Sequence, residues 1–303
     1  MGNPAGYRDG VRFAIDISPQ GPWGGPRSLA ELASLAERSG WDGVFLEDYV
    51  FTSSGIEAYD PWVALAAIAL ATERVLIGPM VTPLPRRRPW KVAAEGMTID
   101  HLSGGRLVLG AGSGDPESPD LQATGELPDA RGRADQLDEA LDIIDGLWSG
   151  RTVTHHGAHF QLDGVTLRPR PVQRPRPPIW IGGQLTLRRP RERALRWDGS
   201  CLYRVKPPDW DDVTPDDVRE LRADAGSRPF TIVVGGRRRR DDERAEREYV
   251  AALAGAGADW WQEYLRPETS LSAVPAVKGA AVRRRACRVL TRHRFGLCRE
   301  GAE

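Results

Sequence analysis

Two glycine-rich turns and a pair of adjacent carboxylates are the groups in this chain whose types and spacing best suit chemistry. Gly110-Ala-Gly-Ser-Gly114 lets backbone N–H groups approach a ligand with no side chain in the way. Ile179-Trp-Ile-Gly-Gly183 runs straight into a helical pattern, and a helix N-terminus favours an anion by about 0.3–1 kcal/mol. Together the two turns suit a phosphate or phosphoribityl group. Glu47 and Asp48 end a short apolar run, where such carboxylates either move protons or cap the next turn. His155, His156 and His159 resemble metal ligands by type alone. They fall in a hairpin pattern that points neighbours to opposite faces, and no cysteine or carboxylate completes a zinc spacing, so they read as structural. His101, at a helix end, reads as structural too. Trp23 and Trp180 are candidates for an aromatic wall. No G-x-S-x-G, P-loop or H-E-x-x-H is present. Anion-binding turns without a nucleophile or metal set imply a bound cofactor that carries the reaction.

The elements that position these residues alternate. Apolar runs at 11–17, 43–46, 75–78, 106–109, 179–181, 199–203, 230–234 and 259–261 predict eight short strands. Helical spacing follows each one. Ser28 with Glu31 predicts a capping box for the first helix, and Asp60 with Pro61 an N-cap for the second. Thr214-Pro-Asp-Asp217 opens a later helix, and a last one is expected from 270 onward. Eight strand–helix units predict a parallel sheet closed into a (β/α)8 TIM barrel. An open doubly wound sheet is the rival, without a G-x-G-x-x-G to support it. Residues 115–178 break the alternation with a helix at 131–147, a hairpin at 152–155 and 159–162, and a proline-dense stretch. This insertion after the fourth strand is expected to act as a lid. The organisation expected is a tail at 1–10, a barrel at 11–275 and an arginine-rich tail at 276–303.

Composition narrows the class. The chain of 303 residues carries 42 basic and 42 acidic residues and is 40% hydrophobic, an ordinary globular balance. Eight basic residues against two acidic ones crowd into 276–303, which leaves the body acidic and argues against nucleic-acid binding by it. The longest apolar run, 61–71, is far short of the roughly 20 residues a membrane helix needs. With no signal-like N-terminus, and Cys201, Cys287 and Cys298 odd in number and scattered, a cytoplasmic protein without disulfides is expected.

Four motifs in order resemble those of the bacterial luciferase-like flavin-dependent oxidoreductases. They are Trp41-Asp-Gly-Val-Phe-Leu-Glu-Asp48, Ile77-Gly-Pro-Met-Val-Thr82, Thr98-Ile-Asp-His-Leu-Ser-Gly-Gly-Arg-Leu-Val-Leu-Gly-Ala-Gly-Ser-Gly114 and Pro175-Arg-Pro-Pro-Ile-Trp-Ile-Gly-Gly183. The resemblance implies a luciferase-like barrel holding FMN, or the deazaflavin coenzyme F-420, on its C-terminal face. By similarity Met80, Val81 and Thr82 lie at the third-strand end, with a non-prolyl cis peptide at Met80–Val81 forming a bulge behind the ring. Gly112 and Ser113 would flank the cofactor, Gly182, Gly183 and Gln184 would sit near its phosphate, and Asp48 and Tyr49 would face the substrate. Tyr49 stands where many deazaflavin-dependent relatives have histidine. Ser113 stands where luciferases have arginine, leaving Arg188, Arg189 and Arg204 as candidates to neutralise phosphate.

The leading expectation from the resemblance is a monooxygenase that uses reduced FMN and oxygen on a small organic substrate, with a separate flavin reductase as partner. The alternatives are a deazaflavin-dependent reductase or dehydrogenase, and a flavin-binding or scaffold protein with little catalysis. A homodimer is compatible with the resemblance, and no metal is implied.

Overall fold

The computed structural model describes residues 10–21, 25–51, 57–126, 129–204, 213–237 and 242–265. The chain begins β1 (Arg12–Ile17), α1 (Pro26–Arg38), β2 (Gly43–Leu46), α2 (Pro61–Ala71), β3 (Leu76–Pro79), β4 (Thr82–Pro83) and α3 (Pro89–Ser103). It continues β5 (Leu109–Gly112), α4 (Pro119–Gln122), α5 (Ala130–Trp148), β6 (Val153–His156) and β7 (Gln161–Val165). The last described part is β8 (Ile179–Gln184), α6 (Arg188–Arg196), β9 (Gly199–Tyr203), α7 (Pro215–Ala225), β10 (Thr231–Arg237), α8 (Glu243–Ala256) and β11 (Trp260–Leu265). The helix expected from 270 onward and the tail at 276–303 lie outside the described residues, as do Trp23 and residues 1–9.

The main sheet runs β3-β2-β1-β11-β10-β9-β8-β5-β4, with every paired strand parallel. β3 and β4 are two pieces of one rung: β3 pairs with β2, β4 with β5. Ile77 N donates to Arg106 O at 3.0 Å and Val108 N to Ile77 O at 2.9 Å, which closes the ring. The result is the expected eight-stranded (β/α)8 barrel. At Gly78 a Cβ would run into the Val108 carbonyl, so closure at this seam requires glycine.

Strand residues alternate between two cores, as the period of two demands. Ile15, Val44, Leu46, Ile77, Leu109, Ile181 and Val234 pack outward against the helices. Ala14, Phe45, Met80, Val108, Trp180, Val233 and Trp260 fill the barrel interior. Phe45, Trp180 and Trp260 meet with ring centroids 5.6–6.3 Å apart and plug the middle of the barrel. Trp180 is therefore core and not a pocket wall.

Local corrections have local causes. Asp60 caps α2 as expected, its side chain accepting from Val63 N, and Thr214 with Asp217 forms a full capping box on α7. The Ser28–Glu31 box does not form; Pro26 at the first helical position starts α1 earlier, with Gly25 as N-cap. The fourth strand begins at Leu109 rather than Arg106. Arg106 is turned aside, its guanidinium donating to the carbonyls of Ala69, Thr72, Val75 and Ser103 and to Thr72 Oγ1.

The 115–178 insertion divides into three parts. α5 is a member of the helix ring, packed beside α3, with Trp148 fully buried and its Nε1 donating to Ala93 O at 2.8 Å. Because β6, β7 and the proline-rich stretch follow α5, they leave from the N-terminal end of the barrel. Asp100 accepts from Val172 N and Gln173 N there, and Gln173 reaches Leu107 O at the base of β5. The hairpin climbs the outer flank: Glu139 of α5 takes the backbone N–H groups of Ala158, His159 and Phe160, and Phe160 packs edge-on against Trp90. Among the described residues of the insertion, those ahead of α5, 115–126 with α4, belong to the C-terminal rim. Among the described residues no helix is long and apolar enough to cross a membrane.

Candidate active site

Parity decides which rim residues face the mouth. Counting outward from the aromatic plug, the next inward positions are Asp16 after Ala14, Glu47 after Phe45, Gly112 after Gly110, Gly182 after Trp180, Cys201 after Gly199, and Gln262 after Trp260. One wall of the mouth is thus built of backbone, the opposite wall of polar side chains.

The bare wall centres on Val81. The Met80–Val81 peptide is cis, and both residues belong to the inner cluster. A Cβ placed on Gly112 or Gly182 would lie 2.9 Å from a Val81 methyl carbon, so the two glycines clasp this side chain from β5 and β8. The register Gly110↔Trp180 and Ala111↔Ile181 sets Gly112 and Gly182 side by side. Ser113 is half-buried at the end of β5. At Gly183 a Cβ would stand 2.9 Å from Pro190 Cβ, so the start of α6 rests directly on this backbone. Gln184 Nε2 donates to Thr186 Oγ1 at 3.1 Å. The sequence-predicted glycines therefore do converge on one edge of the barrel. The Val81 side chain, seated between Gly112 and Gly182 with no Cβ from either, gives this edge an apolar surface that fits the face of a planar flavin or deazaflavin ring.

Asp48 and Thr82 do not line the mouth. Asp48 follows outward-facing Leu46 and is 2% exposed. Its carboxylate accepts from Thr82 Oγ1 at 2.7 Å and Trp62 Nε1 at 3.0 Å and is paired with Arg86 and Arg87. Thr82 is fully buried and accepts from Trp62 Nε1 at 3.0 Å. Asp48 expected as a substrate-facing carboxylate is instead a clamp between the ends of β2 and β4, because it sits one residue out of phase. Glu47 and Tyr49 have the inward phase. Arg86 also pairs with Asp120 of α4, and Asp120 accepts from Val50 N at 3.0 Å and Phe51 N at 2.6 Å. Arg86, Asp120 and Trp62 were not found from sequence; Asp60-Pro61-Trp62 at a helix start was the only local signal.

The polar wall is electrostatically unusual. Burial and the charge of Glu47 push the Asp16 carboxyl well above the usual range. Burial raises Glu47 too, the Ser18 hydroxyl offsetting part of it. Burial, with Glu47, Asp115, Tyr264 and Asp16 around it, raises the Tyr49 phenol. Burial raises the Cys201 thiol, the Asp16 charge adding to it.

The arginines considered for phosphate are already engaged: Arg188 with Glu192 at 3.0 Å, Arg189 with Asp135 at 3.7 Å and Arg204 with Asp217 at 2.8 Å. His155 bonds Glu139, His156 bonds Gln161, and His101 bonds the Arg170 carbonyl. Among the described residues no group of three or more His, Cys, Asp or Glu side chains could hold a metal ion.

A parallel barrel with a glycine-built edge around Val81 at its C-terminal mouth is the architecture of the luciferase-like class. The luciferase-like monooxygenase model matches residues 10–291, and the chain belongs to that family. It is 37% identical over 163 residues to an F420-dependent glucose-6-phosphate dehydrogenase of Microbacterium testaceum, covering 52% of this chain and 47% of the relative. It is 28% identical over 179 residues to the oxygenase component of a flavin-dependent trigonelline monooxygenase of Acinetobacter baylyi, covering 59% of this chain and 48% of the relative. The chain spans about half the length of the curated relatives it matches. An F420-dependent secondary alcohol dehydrogenase, solved with an F420-acetone adduct, superimposes with a TM-score of 0.70 at 18% identity, over 90% of this chain and 99% of that one.

Proposed function

We propose that this protein is a deazaflavin-dependent oxidoreductase acting on a small organic substrate. The observation that carries the reading is the glycine-built cradle around Val81 in a chain whose similar relatives include several F420-dependent dehydrogenases at 34–38% identity. This reverses the leading expectation from sequence, which favoured FMN and oxygen; the deazaflavin alternative is the better supported. The bound coenzyme would supply hydride transfer. Val81, with Met80 behind it, would back the ring; Gly112 and Ser113 would flank it; Gly182, Gly183 and Gln184 would take the phosphate end. Tyr49 would face the substrate, where its hydroxyl can donate to an oxygen. Asp48 and Thr82 would serve the site by holding the ends of β2 and β4 in place.

The test is anaerobic turnover. Substrate conversion without oxygen, with deazaflavin supplied in the oxidation state the direction requires, supports this reading. The similarity to a flavin-dependent monooxygenase keeps a second reading in view: strict dependence on reduced FMN and oxygen would favour it, with a flavin reductase as partner.

A further inference from the structure

The polar wall of the mouth holds groups that none of the motifs explains. Asp16 is 6% exposed and Gln262 4% exposed. Asp16 Oδ1 and Gln262 Nε2 are both buried with no hydrogen-bond partner, which is costly unless something else completes them. They stand on neighbouring strands, β1 and β11. The two side chains converge: the Cβ direction of Gly236 ends 3.8 Å from Asp16 Oδ2 and 3.8 Å from Gln262 Oε1. Gly235 and Gly236 both have positive φ, 102° and 71°, and the β10–β11 register shifts there, so the backbone is bent away beside the pair. Glu47, the residue after β2 on the other side of β1, acts on Asp16.

We propose that Asp16 and Gln262 receive the reacting oxygen of the substrate, an uncharged hydroxyl or carbonyl. Gln262 donates its amide N–H to that oxygen, and Asp16 carries the proton that the oxygen gains or loses. Glu47 is a positioning residue that keeps one proton on the carboxyl pair. The proposal rests on the hydride-transfer reading. For alcohol oxidation, with the pair's single proton on Glu47, the C–H bond breaks with its electron pair going to the oxidised deazaflavin, and the O–H proton goes to the Asp16 carboxylate. Reduction of a carbonyl runs the same transfers backwards, with Asp16 giving its proton to oxygen. The groups around the carboxyl pair are Ser18 just after β1, Tyr49 after β2, Cys201 on β9, and Gln262 and Tyr264 on β11, with Asp115 of the rim acting on Tyr49. An anionic group placed there would meet carboxyl oxygens, so the pair selects neutral oxygen over carboxylate or phosphate.

Infrared spectroscopy of the full chain without coenzyme tests this. At pH near neutral the wild type should show the C=O stretch of one protonated carboxyl, and the Asp16→Asn, Glu47→Gln double variant should lack it. Acetone, used as a neutral probe, should shift that band in the wild type and not in Gln262→Leu; acetate should not shift it. With coenzyme bound, Asp16→Asn should retain deazaflavin affinity while hydride transfer to or from acetone and propan-2-ol slows by about 10²–10⁴-fold. A wild type without the band, or one whose band ignores acetone, overturns the proposal. A wild type that keeps the band and its response to acetone yet binds no deazaflavin overturns the hydride-transfer reading instead.

Discussion

A carboxyl group inside a barrel is easier to bury with its proton than without it, and Asp16 shows the consequence for stability. Its pKa is raised in the folded chain, so the fold binds that proton more tightly than the unfolded chain does. The stability this confers is fully present below the ordinary carboxylate range and is lost as pH rises through the folded-state value. Asp16→Asn keeps the shape without the ionisation. Its melting temperature should therefore exceed the wild type's by a few degrees at about pH 8, with the gap narrowing as pH falls and closing only below about pH 4. Equal gaps at both pH values in thermal unfolding would show that Asp16 does not titrate in this range. Glycine makes the opposite kind of contribution. Gly112→Val or Gly182→Val would drive side-chain atoms into Val81. At about 1–3 kcal/mol of overpacking, coenzyme affinity should fall by about 10–100-fold while far-UV circular dichroism stays unchanged. Retained affinity in both variants would show that the cradle lies elsewhere.

At the scale of elements, three rim segments are joined by one buried ion cluster. Arg86 after β4 pairs with Asp48 after β2 and with Asp120 in α4, and all three are nearly inaccessible. Removing one partner from such a cluster leaves an uncompensated charge, at a cost of about 3–5 kcal/mol. Asp120→Ala should lower stability by about that amount and speed amide exchange at Val50 and Phe51, whose N–H groups it accepts. Unchanged exchange at those two amides would contradict the assigned role. This cluster was hidden in the sequence because its members lie 34–38 residues apart and no local pattern links them. The glycine turns were legible because backbone approach and positive φ select glycine locally. Asp48 was misread for a reason that was available: Val44 and Leu46 share the outward core, so two residues further on Asp48 is outward as well, and Glu47 takes the inward place.

For the whole molecule, the strand–helix alternation made the barrel legible, since eight apolar runs of strand length can bury both faces only when helices cover one and the barrel interior the other. The motif at residues 98–114 is largely scaffold: Asp100 fastens the 172–173 segment, Arg106 fastens the α2–β3 connection, and only its glycine end reaches the mouth. The lid expectation failed for most of the insertion, because a segment that follows a ring helix departs from the N-terminal end of the barrel. Replacing the hairpin, residues 152–166, by a short linker should lower the melting temperature through loss of buried Phe160, yet leave coenzyme affinity within about twofold. Loss of binding on that deletion would mean that the hairpin reaches the site.

On the proposed function, the mouth around Val81 holds a deazaflavin. Equilibrium titration of the purified chain with coenzyme F-420 and, separately, with FMN tests it most directly. Saturable deazaflavin binding is expected, at least about tenfold tighter than FMN binding and weakened by about 10–100-fold in Gly182→Val. Tighter binding of FMN, or deazaflavin binding untouched by that substitution, would contradict it.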